Sequence, residues 1–393
     1  MKTTPLIILA LCLVSCIKME EAPAIPVPGE EQESTKISFS KPELARILSS
    51  LPIGAGQVQE VYDAVGESSG NGYDEEYTMS NLFRNPGTGV GSQRTKAPSG
   101  YEVPLRDLFE EYFLSEGQST KSEAGQFSAQ DCINSLISSG YQIYWPYSEL
   151  WDGKTLPLIT FDPGYGAESN YAYEIKASGS GFEVADSILV DERLAMERPV
   201  WVVNSNTDSA FSPLDLFIRN IGPDSGRQPP VSGTRSRNRI LRLKSINMLK
   251  NYDSWFGGAS EFFIQAGTVE GFTASTEAEL KLYYPTLTSF MVVIKRSQKG
   301  EEVPLDIIMM TDFTNQLDKL AFLVTEDDGG TTTSWKCAAT VKVQSKSYGF
   351  DVEFPYKDKD DIVWRGQLTA SFFQSEDIVS ARFGDVILSF ELQ

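Results

Sequence analysis

The sequence predicts a multidomain, mainly β chain: an N-terminal helical region, then a small all-β domain, then a C-terminal antiparallel β-sandwich. Three observations carry this. Apolar residues recur at helical spacing as far as residue 140 and at every second position from Tyr141 onward. Residues 237–393 hold ten short apolar runs with no helical pattern between them. The length of 393 residues suits two or three domains.

The helical region spans 37–140. Ser40-Lys41-Pro42-Glu43 is a capping box, followed by Leu44, Ile47, Leu48 and Leu51 at helical spacing. Pro52 and Gly54 end that helix. Val58, Val61, Tyr62 and Val65 form a second stripe, and Leu105, Leu108, Phe109, Tyr112 and Phe113 a third. Ser128 to Asp131 is a second capping box, leading to Ile133, Leu136 and Ile137, with Gly140 as the stop. Residues 66–100, rich in Gly, read as a long surface loop. Gly87-Thr88-Gly89-Val90-Gly91 within it lacks the strand before and helix after that a phosphate cradle needs.

From Tyr141 to 222, short apolar runs punctuated by Gly, Pro, Asn and Asp describe a small aromatic-rich all-β domain. Residues 223–236 carry Pro and Gly and read as a linker. In 237–393, Tyr348, Phe350, Val352 and Phe354 alternate with Gly349, Asp351 and Glu353, so that strand is half-buried and antiparallel. Strands are expected at 239–248, 260–267, 279–284, 287–296, 304–311, 319–325, 334–344, 347–355, 362–373 and 384–391.

The N-terminus carries an address. Residues 1–15 have a short basic start and an apolar run too short to span a bilayer, the proportions of a signal peptide. Leu13-Val14-Ser15-Cys16 resembles a bacterial lipobox. Ile17-Lys18-Met19-Glu20-Glu21 is similar to the Lys-plus-acidic patch behind the lipidated Cys of Bacteroidota-type surface lipoproteins. The resemblance implies cleavage before Cys16, acylation of Cys16 with palmitate-like chains, and an outer-membrane position facing the cell surface. Residues 16–36 then serve as lipidated Cys and flexible spacer, kept extended by Pro23, Pro26 and Pro28.

Composition excludes several functions. The chain has no His, which removes Ser-His-Asp and Cys-His catalysis and every imidazole zinc site. The net charge of 34 − 54 = −20 argues against nucleic acid as a partner. Besides Cys16 and the cleaved Cys12, only Cys132 and Cys337 remain; they lie far apart and read as free thiols, with pairing left open.

Two constellations invite a ligand. Glu326, Asp327 and Asp328, with Asp358, Asp360 and Asp361, sit in two loops that fall at one end of the sandwich if the strands run as a meander. Clustered carboxylates suit Ca2+, against the ordinary reading as solvated turns. Residues 141–173 hold nine aromatics, among them Trp145, Tyr147 and Trp151, which read either as a platform for a glycan or as a compact core. The expected role is binding or adhesion, to a glycan or a protein partner, with no catalytic chemistry evident. The alternative is a carboxylate-based, His-free hydrolase acting on glycans.

Overall fold

A computed structural model describes residues 37–84, 101–119, 128–178, 181–206, 217–220 and 239–393. The signal peptide, Cys16 and its spacer, the Gly87-to-Gly91 stretch and the 223–236 linker lie outside the described residues. Among the described residues the chain is mainly β, with three mostly antiparallel sheets. Among the described residues no helix is long and apolar enough to cross a membrane.

The first part opens with α1 (Lys41–Ser50). The Ser40 amide donates to Glu43 Oε2 at 2.8 Å and the Glu43 amide to Ser40 Oγ, so both ends of the capping box close. Next come α2 (Ala55–Gly70), β1 (Glu76–Thr78), α3 (Met79–Leu82), α4 (Leu105–Ser119) and α5 (Ala129–Ser138), the last capped by Ser128 and Asp131. β2 (Tyr141–Tyr144), β3 (Leu158–Phe161), β4 (Ser169–Ser178), β5 (Gly181–Asp191), α6 (Glu192–Glu197) and β6 (Val200–Ser205) follow. The sheet order is β1-β2-β6-β3-β4-β5, with β3 parallel to β6 and the other pairs antiparallel.

Period-2 alternation decides what each face of this sheet meets. Ile143, Trp145, Ile159, Trp201 and Val203 face the helices and share a core with Leu44, Leu48, Val61, Phe109 and Leu136. Tyr144, Leu158, Val200 and Val202 face the other way, onto Trp255 and Phe256. The sheet is therefore buried on both sides. The boundary drawn at 140/141 does not divide two cores: helices and strands fold around one. The stretch read as loop over 66–100 also carries the end of α2, β1 and α3. A three-residue strand is too short to show a period in sequence.

The C-terminal part is β-sandwich-like. Its strands are β7 (Phe217–Asn220), β8 (Arg239–Met248), β9 (Ser260–Thr268), β10 (Thr286–Ile294), β11 (Val303–Phe313), β12 (Leu317–Glu326), β13 (Thr332–Val343), β14 (Lys346–Lys357), β15 (Asp361–Thr369), β16 (Ile378–Phe383) and β17 (Val386–Leu392). One sheet runs β14-β13-β12-β9-β10-β7 with β15 paired to β12; the other runs β11-β8-β17-β16. Phe262, Ile264, Phe290 and Phe322 from the first meet Leu243, Ile246, Met310, Leu388 and Phe390 from the second in one core.

Four expectations change here. β15 returns to β12 instead of following β14, so the strands are not a simple meander. Residues 277–282 form a 3-10 turn where a strand was expected, because Glu277 and Glu279 stay in solvent. β16 is an additional strand. β7, within the 141–222 region, pairs with β10 and so belongs to the sandwich.

A Cβ on Gly267 of β9 would lie 2.8 Å from both Val352 methyls and 2.9 Å from Phe354, so only a glycine lets the β13–β14 hairpin close over β9. Ile240, in the first strand of this four-stranded sheet, exchanges backbone hydrogen bonds of 2.9 and 3.0 Å with Gln393.

Candidate functional site

Trp145, Tyr147 and Trp151 come together at a recess of about 80 Å3 beside β2. Trp145 is its fully buried floor, with ring centroids 5.9 Å from Tyr62, 5.5 Å from Trp151 and 5.9 Å from Trp201. Tyr147 takes a left-handed φ of 59°. Its hydroxyl donates to Glu192 Oε1 at 2.7 Å, and burial followed by that carboxylate raises its pKa. Trp151 is half-buried and anchored by its indole N–H, which donates to the Thr155 carbonyl at 3.0 Å. At the rim, Leu150 is 59% and Met196 46% exposed. Asp152 accepts from the amides of Thr155 and Lys154 and from the Thr155 hydroxyl, which pull its pKa down to about 2. A carboxylate held that firmly is a poor proton donor at neutral pH.

The two acidic loops touch. The Thr331 amide donates to Asp358 Oδ1 at 2.7 Å, the Asp358 amide to the Thr331 carbonyl at 2.9 Å, and the Asp328 amide to Asp360 Oδ1 at 3.3 Å. Three of these six carboxylates have donors. Lys357 Nζ grips both oxygens of Asp327 at 2.8 and 2.7 Å, and the Lys357 amide donates to Asp360 at 2.8 Å. Asp328, Asp358 and Asp361 are exposed. Asp327, Asp358 and Asp360 are thus occupied in holding the loops to each other.

Glu326 differs from its neighbours. At the end of β12, it is 0% exposed, and no donor among the described residues reaches either carboxylate oxygen. It lies in register with Phe262, beside Glu261 on β9. Carboxylate oxygens of Asp253, Glu261 and Glu326 all fall within 4.8 Å of one another. Burial raises the pKa of Glu326, and the Asp253 charge raises it further; burial likewise raises that of Asp253.

Asp253 and Glu261 of this triad border a cavity of about 160 Å3 between the two parts of the chain, with Glu326 buried behind them. Asp162 and Asn204 line it from one side; Asp253, Glu261, Asp327 and Asp328 line it from the other. The segment between β8 and β9 is clamped there. Asn204 Nδ2 donates to the carbonyls of Phe256 and Gly257 at 3.1 and 2.6 Å. The Ala259 amide donates to Asp74 at 3.1 Å, and the Trp255 indole N–H to the Glu168 carbonyl at 3.0 Å. Arg296 Nη1 donates to the Asp253 carbonyl at 3.0 Å.

Nearby, Glu75 is buried, accepts from the Ser148 hydroxyl at 2.7 Å and lies 3.7 Å from Lys295 Nζ. Burial still pushes its pKa up to about 8. Cys132 and Cys337 are free and half-buried in different cores, and burial raises both thiol pKa values.

Sequence reasoning missed Asp253 and Glu261. The available signal was the acid inside the apolar run Ser260-Glu261-Phe262-Phe263-Ile264, a charge at a strand position that burial must compensate. No protein-family model and no curated protein matches the chain.

Proposed function

We propose that this chain is an outer-membrane lipoprotein of the surface-exposed type, anchored through Cys16, that binds a glycan over the aromatic recess. The observation that carries the reading is the composition of that recess. The half-buried Trp151 and the exposed Leu150 and Met196 give apolar contact, while Asp152, Glu197 and Arg198 supply polar groups around it. Sugars present one apolar face and a ring of hydroxyls, which is the complement of such a surface. At about 80 Å3 the recess is far below the roughly 300 Å3 of an enclosing ligand pocket. The ligand therefore lies across it, as in adhesion. A glycan array probed with the chain tests this: a bound class of glycans lost in Trp151→Ala supports it, and an array blank for the unaltered chain overturns it.

The rival, a carboxylate-based glycan hydrolase, draws on the acidic cavity, where Asp253 holds its proton more tightly than an ordinary carboxylate. Release of reducing sugar from polysaccharides, abolished by Asp253→Asn, would favour it over binding.

A further inference from the structure

We propose that Asp253, Glu261 and Glu326 form a calcium site at the seam between the two parts of the chain. Glu326 is the decisive observation. A buried carboxylate that meets no donor among the described residues on either oxygen is costly to fold around, and a bound cation would relieve it. Asp253 lies within hydrogen-bond range of Glu326, yet two carboxylates can bond only through a shared proton.

The donor set suits calcium. The three carboxylates each bring an oxygen within 4.8 Å of the others and offer the all-oxygen set that calcium prefers, whereas Mg2+ dehydrates reluctantly and usually takes only one or two carboxylates. The adjoining cavity leaves room for the waters that complete six to eight ligands. Asn204, which lines the same cavity, has its buried side-chain oxygen, Oδ1, without a donor among the described residues. Among the described residues, Lys357 is paired with Asp327 and Arg296 with Glu192. The ligands come from β9, β12 and the segment clamped by Asn204 and Asp74. A bound ion would therefore tie that clamp to the sandwich.

The test is thermal unfolding of the full chain in detergent, in chelator and then in millimolar CaCl2 or MgCl2. Calcium should raise the midpoint by roughly 3–6 °C, as expected for a site of about 10⁻⁴ M affinity. Magnesium should do much less. Glu326→Gln should abolish the calcium shift while unfolding cooperatively in chelator at or above the unaltered midpoint. Asp358→Asn, in the loop contact, should keep the shift. Tb3+ luminescence excited through tryptophan gives an independent readout and should vanish in Glu326→Gln. An unaltered chain whose midpoint ignores calcium, an equal response to magnesium, or a shift that survives Glu326→Gln overturns the assignment.

Discussion

Arg296, just after β10, donates through Nε to Glu192 of α6 at 2.7 Å, and so joins the sandwich to the six-stranded sheet by an ion pair. The guanidinium is almost wholly buried, and Glu192 also accepts from Tyr147. Burial pushes the Glu192 pKa up, but the Arg296 and Tyr147 hydrogen bonds outweigh it and leave the pKa lowered. The same arginine holds the Asp253 carbonyl, so one side chain reaches both candidate sites.

Arg296→Ala should therefore cost about 2–3 kcal/mol, the worth of a charged hydrogen bond plus the charge left behind. Urea unfolding checks this. A midpoint equal to that of the unaltered chain would mean that the pair is solvent-screened.

Trp255→Ala should cost more, about 3–5 kcal/mol, because it empties a fully buried indole position beneath β2 and β6. Since Trp255 and Phe256 are what the sandwich contributes to that core, the variant should unfold in two steps where the unaltered chain unfolds in one. Calorimetry distinguishes the two; a single, merely lowered peak argues against this residue as the coupling element.

Stability should fall as pH rises from about 5 to 8. Glu75 has an ordinary value of 4.5 and is raised to about 8 in the folded chain, chiefly by burial. The folded state thus holds a proton that the unfolded state has lost, and each pH unit in that window weakens folding by up to about 1.4 kcal/mol. Glu60, raised to about 6, adds the same sign at the lower end of the window. The Glu75→Gln chain should be the more stable one at pH 8 and should lose most of its advantage at pH 5. An unchanged pH slope would show that Glu75 is solvated.

Gly267→Ala should destabilise by about 1–3 kcal/mol through overpacking, as the new methyl meets Val352 and Phe354 at 2.8–2.9 Å. The pair Gly267→Ala with Val352→Ala should recover part of the loss. If the double variant is as unstable as the sum of the singles, the contact is not the cause.

Cys16→Ala should move the chain from the membrane to the soluble fraction and abolish labelling by a palmitate analogue. A variant that still sediments with membranes refutes the anchor.

What the sequence made legible follows the range of the interactions. The capping boxes at Ser40 and Ser128 are local, and both close as their residue types require. β8 was read at its observed bounds because Leu241, Leu243 and their neighbours repeat over ten residues. The β12–β15 pairing is set by contacts far apart in sequence, and no period encodes it. The candidate triad was illegible for the same reason. Glu326 was visible as one member of an acidic loop, while Asp253 and Glu261 become its neighbours only when β9 is laid beside β12. Trp145 and Trp151 were legible as an aromatic cluster. That one is floor and the other rim depends on helix-to-sheet packing, which Tyr62 of α2 completes.

The pairing of Ile240 with Gln393 dictates a timetable. β8 takes its place between β11 and β17, and β17 follows the other three strands of that sheet in the chain. As the chain emerges in order, Leu241, Leu243 and Ile246 wait without their full cover until β17 arrives. The helical part, complete by β6, has all its strands long before. Any process that handles the chain unfolded would thus find the sandwich open until β17 is released. Deleting β17 should leave an open, aggregation-prone edge in place of a slightly weaker sandwich.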